Sequence, residues 1–155
     1  MEIRDATSED AEAACRVLRR SITELCTADH RGDVAVLDLW LRNKTPDNFK
    51  TWIAHRANSV LVAVERDVII GVAAVSGKGE IMLNYVSPDA RFRGVSRALL
   101  RALEDRATQR GNLRCTLTST GTARRFYSAS GYADDRSAVA EVSSWGWPMS
   151  KLLTG

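Results

Sequence analysis

The chain has 155 residues, 45% of them hydrophobic, which suits one compact domain over residues 1–155 with a core of its own. Its 22 basic and 19 acidic residues leave a net charge of +3, too small an excess to imply a nucleic-acid partner. The longest apolar runs, "VLVAV" (60–64) and "VIIGVAAV" (68–75), fall short of the roughly 18 residues of a membrane span. The first ten residues, "MEIRDATSED", lack an apolar leader, so the reading expects a cytoplasmic protein with no membrane partner.

In chain order, "EIR" (2–4) opens a strand, and Ser8 with Asp10 and Glu12 starts a helix that runs to about Leu25. Ala14, Val17, Leu18, Ile22 and Leu25 fall at helical spacing and form its buried stripe. "TADHRGD" (27–33) reads as a polar break, in which Asp29 and Asp33 are positioned to attract a cation. Val34, Leu37 and Leu41 then indicate a short second helix, and Thr45-Pro46 caps a third that reaches about Arg56. From Ser59 the period changes. "VLVAVE", "VIIGVAAVS" and "EIMLNYVS" form three successive antiparallel strands around the turns "ERD" and "GKG".

After Pro88 the helical period returns, with Val95, Ala98, Leu99, Ala102 and Leu103 on one face and Gly111 as the stop. "LRCTLTS" (113–119) reads as a buried strand, "GTARRFYSAS" (121–130) as a short helix closed by Gly131. Two β-rich stretches follow, around "AVAEV" and "WGWPMSKLL". Helices, an antiparallel meander and a strand-helix-strand crossover make a mixed α/β domain.

The turn "SPDARFRG" (87–94) carries the chemistry. A helix N-terminus presents unpaired N–H groups and a positive dipole end; Gly94 lets a ligand approach the backbone there, and Arg91 and Arg93 add charge. A phosphate or pyrophosphate suits this turn, although solvated arginines at an ordinary strand-to-helix junction give the same local pattern. Neither G-x-x-x-x-G-K-[S/T] nor G-x-G-x-x-G occurs in the chain, which disfavours nucleotide hydrolysis and nicotinamide chemistry.

These residues resemble the GNAT superfamily of acetyl-CoA-dependent N-acetyltransferases. Its pyrophosphate loop reads V-x-P-x-x-[R/Q]-x-x-G-x-[G/A], and Val86, Pro88, Arg91 and Gly94 stand in the matching places, with Ser96 departing at the last. "ARRFYSASGY" (123–132) is similar to the family's A-x-x-x-Y-x-x-x-G-[F/Y] helix. The resemblance implies an α/β (α+β) fold: a mixed, mostly antiparallel twisted sheet of six to seven strands flanked by helices. It implies acetyl-CoA as cosubstrate, held by Val86, by the loop and first turn Arg91, Phe92, Arg93, Gly94, Val95, Ser96 and Arg97, and by Thr120 and Ala123. It also implies a pantetheine arm between residues 82–86 and 114–118, where the two strands splay.

Tyr127 occupies the family's place for the tyrosine that protonates the departing thiolate; packing against Phe126 and Tyr132 is the structural alternative. Glu80 matches the catalytic glutamate of the histone-acetylating branch, and plain alternation would put Glu80, Met82, Asn84 and Val86 on one face. A solvated strand end is the alternative for Glu80. Thr120 stands where the family's second motif often begins with asparagine.

Cys15, Cys26 and Cys115 follow no metal-ligand spacing, and His30 and His55 are isolated, so structural thiols, surface or packing histidines and no metal centre are expected. Cys115, the only thiol near the core strands, has no histidine partner for an acyl-enzyme route. Trp40, Trp52, Trp145 and Trp147 are candidates to line a pocket.

The leading function is therefore acetyl transfer by direct attack of a primary amine, from a small molecule or from a protein or peptide. A coenzyme-A-binding domain without turnover is the alternative, and a homodimer is left open. A nucleic-acid-binding domain built on Arg91, Arg93, Arg97, Arg101 and Arg106 ranks lowest, because Glu104 and Asp105 interrupt the basic face.

Overall fold

A computed structural model describes residues 1–135 and 146–154. Strand β1 (Glu2–Asp5) leads into a 3-10 turn at Ser8–Asp10. Thr7, one residue before the expected Ser8, is the cap: its N–H donates to Asp10 Oδ2 at 2.7 Å, and Arg4 forks onto the same carboxylate at 2.8 and 3.1 Å. Helix α1 (Ala11–Leu25) buries Ala14, Val17, Leu18 and Ile22.

The segment expected as a polar break instead winds into one turn, α2 (Thr27–His30), stopped by Arg31 at φ 53°. Buried His30 makes that turn possible, since Nδ1 accepts the Gly32 N–H at 3.0 Å and Nε2 lies 3.1 Å from the Thr23 carbonyl. Helices α3 (Val34–Leu41) and α4 (Pro46–Ala54) follow, capped by Asp33 and Thr45.

β2 (Ser59–Glu65), β3 (Val68–Val75) and β4 (Ile81–Val86) form the expected meander, giving a four-stranded antiparallel sheet in the order β1-β2-β3-β4. Arg66 and Asp67, at φ 52° and 66°, make the two-residue turn between β2 and β3. Helix α5 (Val95–Gln109) crosses to β5 (Arg114–Ser119); α6 (Arg124–Ala129), β6 (Ala133–Asp134) and β7 (Trp147–Leu152) complete the described elements. The expected "AVAEV" stretch and Trp145 lie outside the described residues.

The seven described strands do not make one continuous sheet. β5, β7 and β6 form a second antiparallel sheet in that order, joined to the first by a single parallel bridge between Glu80 and Thr116. The Thr116 N–H donates to the Gly79 carbonyl there at 2.9 Å.

Alternation along the central strands separates two cores. Leu61, Ala63, Ala73 and Val75 face α5, whereas Val60, Val62, Val72 and Ala74 face α1. Helix α5 buries Val95, Leu99, Leu100, Leu103 and Ala107. No helix among the described residues is long and apolar enough to cross a membrane.

Gly71 on β3 sets how closely α5 lies. A Cβ there would stand 2.8 Å from both Leu99 Cδ1 and Val95 Cγ1. Gly71→Val is therefore expected to lower stability by about 1–3 kcal/mol through overpacking, read as a reduced urea midpoint. An unchanged midpoint would show that α5 sits farther from the sheet.

Candidate active site

The site starts from an irregularity in β4. Ala74 pairs with Leu83 but Val75 with Ile81, so Met82 is an extra residue, a β-bulge. Ile81 and Val86 consequently belong to the core under α5, while Leu83 and Tyr85 belong to the core under α1. Unbroken alternation from Glu80 to Val86 is thus corrected: the bulge reverses every side chain before it, and Glu80 leaves the face of Asn84 and Val86.

Beyond the Glu80–Thr116 bridge the two strands part. A small hollow of about 60 Å³ lies between Ile81–Tyr85 and Leu117–Thr120, floored by Ala123 and Tyr127. It adjoins a larger cavity of about 490 Å³. One wall of the cavity is the turn and first coil of α5, with Arg91, Phe92, Gly94, Val95, Ser96 and Arg97; a second is Asn84, Tyr85 and Val86 of β4. Thr120, Thr122, Ala123, Phe126 and Tyr127 form a third, and Ser21, Leu25 and Cys26 at the end of α1 face them.

Ten of the twelve expected site residues thus line one cavity, and two stand apart. Arg93 turns away to pair with Glu65. Glu80 is exposed, at the joined end of the wedge and outside the lining. Its neighbour Ile81 lines the small hollow, but Glu80 itself lines neither space.

The N-terminal end of α5 is open. Gly94 precedes the helix at φ 78°, no side chain caps it, and an added Cβ there would meet nothing within 4 Å. The first intrahelical bond runs from the Ala98 N–H to the Gly94 carbonyl at 3.1 Å, which leaves the N–H groups of the first turn facing the cavity side. Phe92, also at positive φ (64°), is 90% exposed at the rim, with the Arg91 guanidinium 4.5 Å above its ring.

Burial pushes the Tyr127 phenol up to about 12, and the neighbouring Asn84 side chain pulls in the opposite direction. Tyr127 also packs edge-on against Phe126 and Tyr132, so the packing expectation holds alongside its place in the cavity. Asn84 Nδ2 donates to the Ser96 carbonyl at 3.4 Å, and its Oδ1 is buried with no hydrogen-bond partner. Thr120 Oγ1 accepts the Ala123 N–H at 3.1 Å, so this hydroxyl starts α6.

The cation-attracting reading of the Asp29 segment is also corrected. Asp29 is occupied by Gly121 and Thr122, and Asp33 caps α3 by accepting the Ala35 and Val36 N–H groups. Trp40, Trp52 and Trp147 do not line the cavity: Trp40 lies edge-on to His30, Trp52 to Phe49, and Trp147 under Arg124.

Sequence reasoning reached Asn84 and Tyr85 only as part of the 82–86 stretch, without a role for either side chain, and missed Cys26 at the cavity. Asn84 had left a signal, a single amide in the apolar run "IMLNYV". Burial also raises the Tyr85 phenol, against a hydrogen bond from Trp40. Cys26, not Cys115, is the thiol at the cavity. Burial, with a smaller contribution from Asp29, pushes it up to about 12, so it stays a thiol and a poor nucleophile. No group of three or more potential metal ligands occurs among the described residues.

The sequence profile of the acetyltransferase (GNAT) domain matches residues 27–153. The chain belongs to the GNAT acetyltransferase family. A GCN5-related N-acetyltransferase from Rhodopseudomonas palustris has the same fold, with a TM-score of 0.84 at 26% identity over 98% of this chain and 95% of its own. PaiA N-acetyltransferase from Thermoplasma acidophilum, solved with coenzyme A, gives 0.82 at 20% identity over 97% and 98%. The YncA protein of Salmonella typhimurium, solved with acetyl-CoA, gives 0.71 at 22% identity over 100% and 95%. No protein of curated function matches the sequence. The GNAT cavity therefore includes a thiol whose reactivity is open to a direct test.

Cys15, Cys26 and Cys115 are all buried, and each thiol is pushed up by burial. Native protein treated with iodoacetamide at pH 8 is expected to remain unlabelled on the time scale in which unfolded protein takes up three groups, as read by intact mass. Rapid labelling at Cys26 would reveal an activated nucleophile in the cavity.

Proposed function

We propose that this chain transfers an acetyl group from acetyl-CoA to a primary amine by direct attack, the amine belonging to a small molecule or to a protein or peptide. The observation that carries this reading is one continuous cavity that joins an open helix N-terminus to a buried phenol.

The residues present fit the coenzyme. Gly94 offers backbone that a pyrophosphate can approach, the first turn of α5 supplies N–H groups and dipole, and Arg91 and Arg97 add charge at the same wall. The two amide groups of a pantetheine arm suit the hollow between β4 and β5. Asn84 Oδ1 lacks a donor there, at a cost of about 1–3 kcal/mol for a buried acceptor, which an amide N–H relieves. Val86, at the end of β4, is the backbone donor in this reading, placed where negative charge develops on the acetyl oxygen.

Tyr127 is the hydrogen-bond donor to the departing sulfur. A phenol at about 12 facing a thiol of ordinary pKa ~8.5 is mismatched by about 3–4 units, wider than their unperturbed values imply. Full transfer even to the free thiolate would cost roughly 5 kcal/mol at about 1.4 per unit, so Tyr127 acts by hydrogen-bonding the sulfur as charge builds on it. Cys26 stays protonated, which favours direct attack over an acyl-enzyme.

The exposed Glu80 supports a second reading, coenzyme binding without turnover, because the family glutamate is not in the cavity to help the amine lose its proton. A panel of an arylalkylamine, a polyamine, an aminoglycoside and a lysine peptide, scored by thiol release from acetyl-CoA, separates the two.

Saturable calorimetric binding of acetyl-CoA is expected, abolished by Gly94→Glu, which strains a residue at φ 78° and puts a carboxylate in the cradle. No binding to the native protein at millimolar acetyl-CoA would end the transferase reading.

Tyr127→Phe should slow turnover about 10²-fold while leaving the acetyl-CoA Kd within about twofold, and Glu80→Gln should change neither by more than about threefold. Because Tyr127 is raised to about 12, its proton is retained throughout the working range and the rate should not fall between about pH 7 and 10. A descending limb near pH 8 that Tyr127→Phe removes would refute the shift.

A further inference from the structure

Helix α6 has only six residues, too few to hold itself in place, so the position of Tyr127 depends on what grips the ends of the helix. At its C-terminal end the Tyr132 N–H donates to the Tyr127 carbonyl at 3.0 Å. The grip at the other end comes from across the cavity. Asp29 Oδ1 accepts the Gly121 N–H at 2.6 Å, and Oδ2 accepts the Thr122 N–H at 3.2 Å and also the Thr122 hydroxyl. One carboxylate on α2 therefore takes three donors from the loop that enters α6.

The loop lies close around this contact and leads directly into the helix. A Cβ on Gly121 would stand 2.9 Å from Asp29 Oδ1 and 3.3 Å from the Trp147 ring, so a larger residue there would have to displace the carboxylate. Ala123, the next residue after Thr122, accepts the Tyr127 N–H at 3.1 Å, which puts the contact one helical turn from the phenol.

The contact also spans the cavity. Leu25 and Cys26, just before α2, line one wall, and Thr120 and Thr122 line the facing one. Fixing the Asp29 carboxylate to Gly121 and Thr122 fixes the separation of these walls. A charged acceptor makes such bonds shorter and stronger than a neutral one.

We propose that Asp29 is a positioning residue, a latch that holds Tyr127 in register with the cavity by binding the start of α6 from the opposite wall. The proposal rests on the reading of Tyr127 as the group that hydrogen-bonds the departing sulfur. The latch leaves the pyrophosphate cradle at α5 untouched, so it acts on turnover more than on coenzyme affinity. It also occupies the carboxylate, which takes Asp29 out of contention as an ammonium-binding group.

The test is a double-mutant cycle between Asp29→Ala and Tyr127→Phe, using acetyl-CoA and whichever amine of the panel turns over fastest, with the acetyl-CoA Kd measured by calorimetry for every variant. Asp29→Ala should slow turnover about tenfold while the Kd changes by no more than about twofold, and Asp29→Asn, which keeps an acceptor oxygen, should recover part of the loss. In the Tyr127→Phe background Asp29→Ala should have little further effect, because a latch that acts through the phenol has nothing left to position. A double variant about a thousandfold slow, the product of the two single losses, would overturn the latch while leaving the Tyr127 reading intact. Full activity in Tyr127→Phe alone would overturn that reading and the latch with it. If Asp29→Ala fails to fold, Asp29→Asn carries the same cycle, and a circular dichroism spectrum identifies that case.

Discussion

Strands β4 and β5 touch once, at the parallel bridge between Glu80 and Thr116, and then part. β4 is paired on its other side with β3, and β5 with β7, so each strand is held while its facing edge is left without a ladder. An unpaired strand edge in the interior is costly because backbone N–H and C=O groups demand partners. The hollow between these edges is where an extended, amide-bearing arm replaces the missing strand on the proposed function. The bulge at Met82 works to the same end: it steepens the local twist of β4 just where the strands separate.

The helix that faces this opening is seated by steric fit. Gly71 removes the one side chain that would hold α5 off β3, so Val95 and Leu99 reach the sheet and the first turn of the helix is brought to the end of β4. Gly94 then leaves that turn uncapped by any side chain. Charge follows position. Arg91 and Arg97 line the cavity because the chain enters and leaves the turn there, whereas Arg93, between them, is drawn off by Glu65 at the far end of β2.

Local chemistry made much of this legible in the sequence. Thr45-Pro46, Gly94, Gly111 and the stripe on α1 are signals read within a few residues, and each marks an element boundary or face in the structure. The motif residues around Gly94 and Tyr127 likewise come to one cavity. What was not legible depends on distant partners. Nothing in "IMLNYV" distinguishes a bulge at Met82 from regular alternation, so the facing of Glu80 was misread. The split into two sheets joined by one bridge shows only in the pairing of distant strands, and the roles of Asp29 and Arg93 are decided by partners 92 and 28 residues away in the chain.

Acetyl transfer to an amine asks two opposite things of one site, a nucleophile that has lost its proton and a donor that has kept one. A lysine-type amine near ~10.4 and a free phenol near ~10 titrate together, so raising the pH to free the amine would discharge the donor as well. Burial separates the two. Taking Tyr127 out of water penalises phenolate and moves the phenol up to about 12, past the amine, with Asn84 keeping the shift from going further. The same burial weakens Tyr127 as an acid, which on the proposed function limits it to stabilising the departing sulfur instead of protonating it outright. A group used in that way must be held at hydrogen-bonding distance throughout. Its six-residue helix therefore needs anchors at both ends, the Tyr132 backbone on one side and the loop gripped by Asp29 on the other.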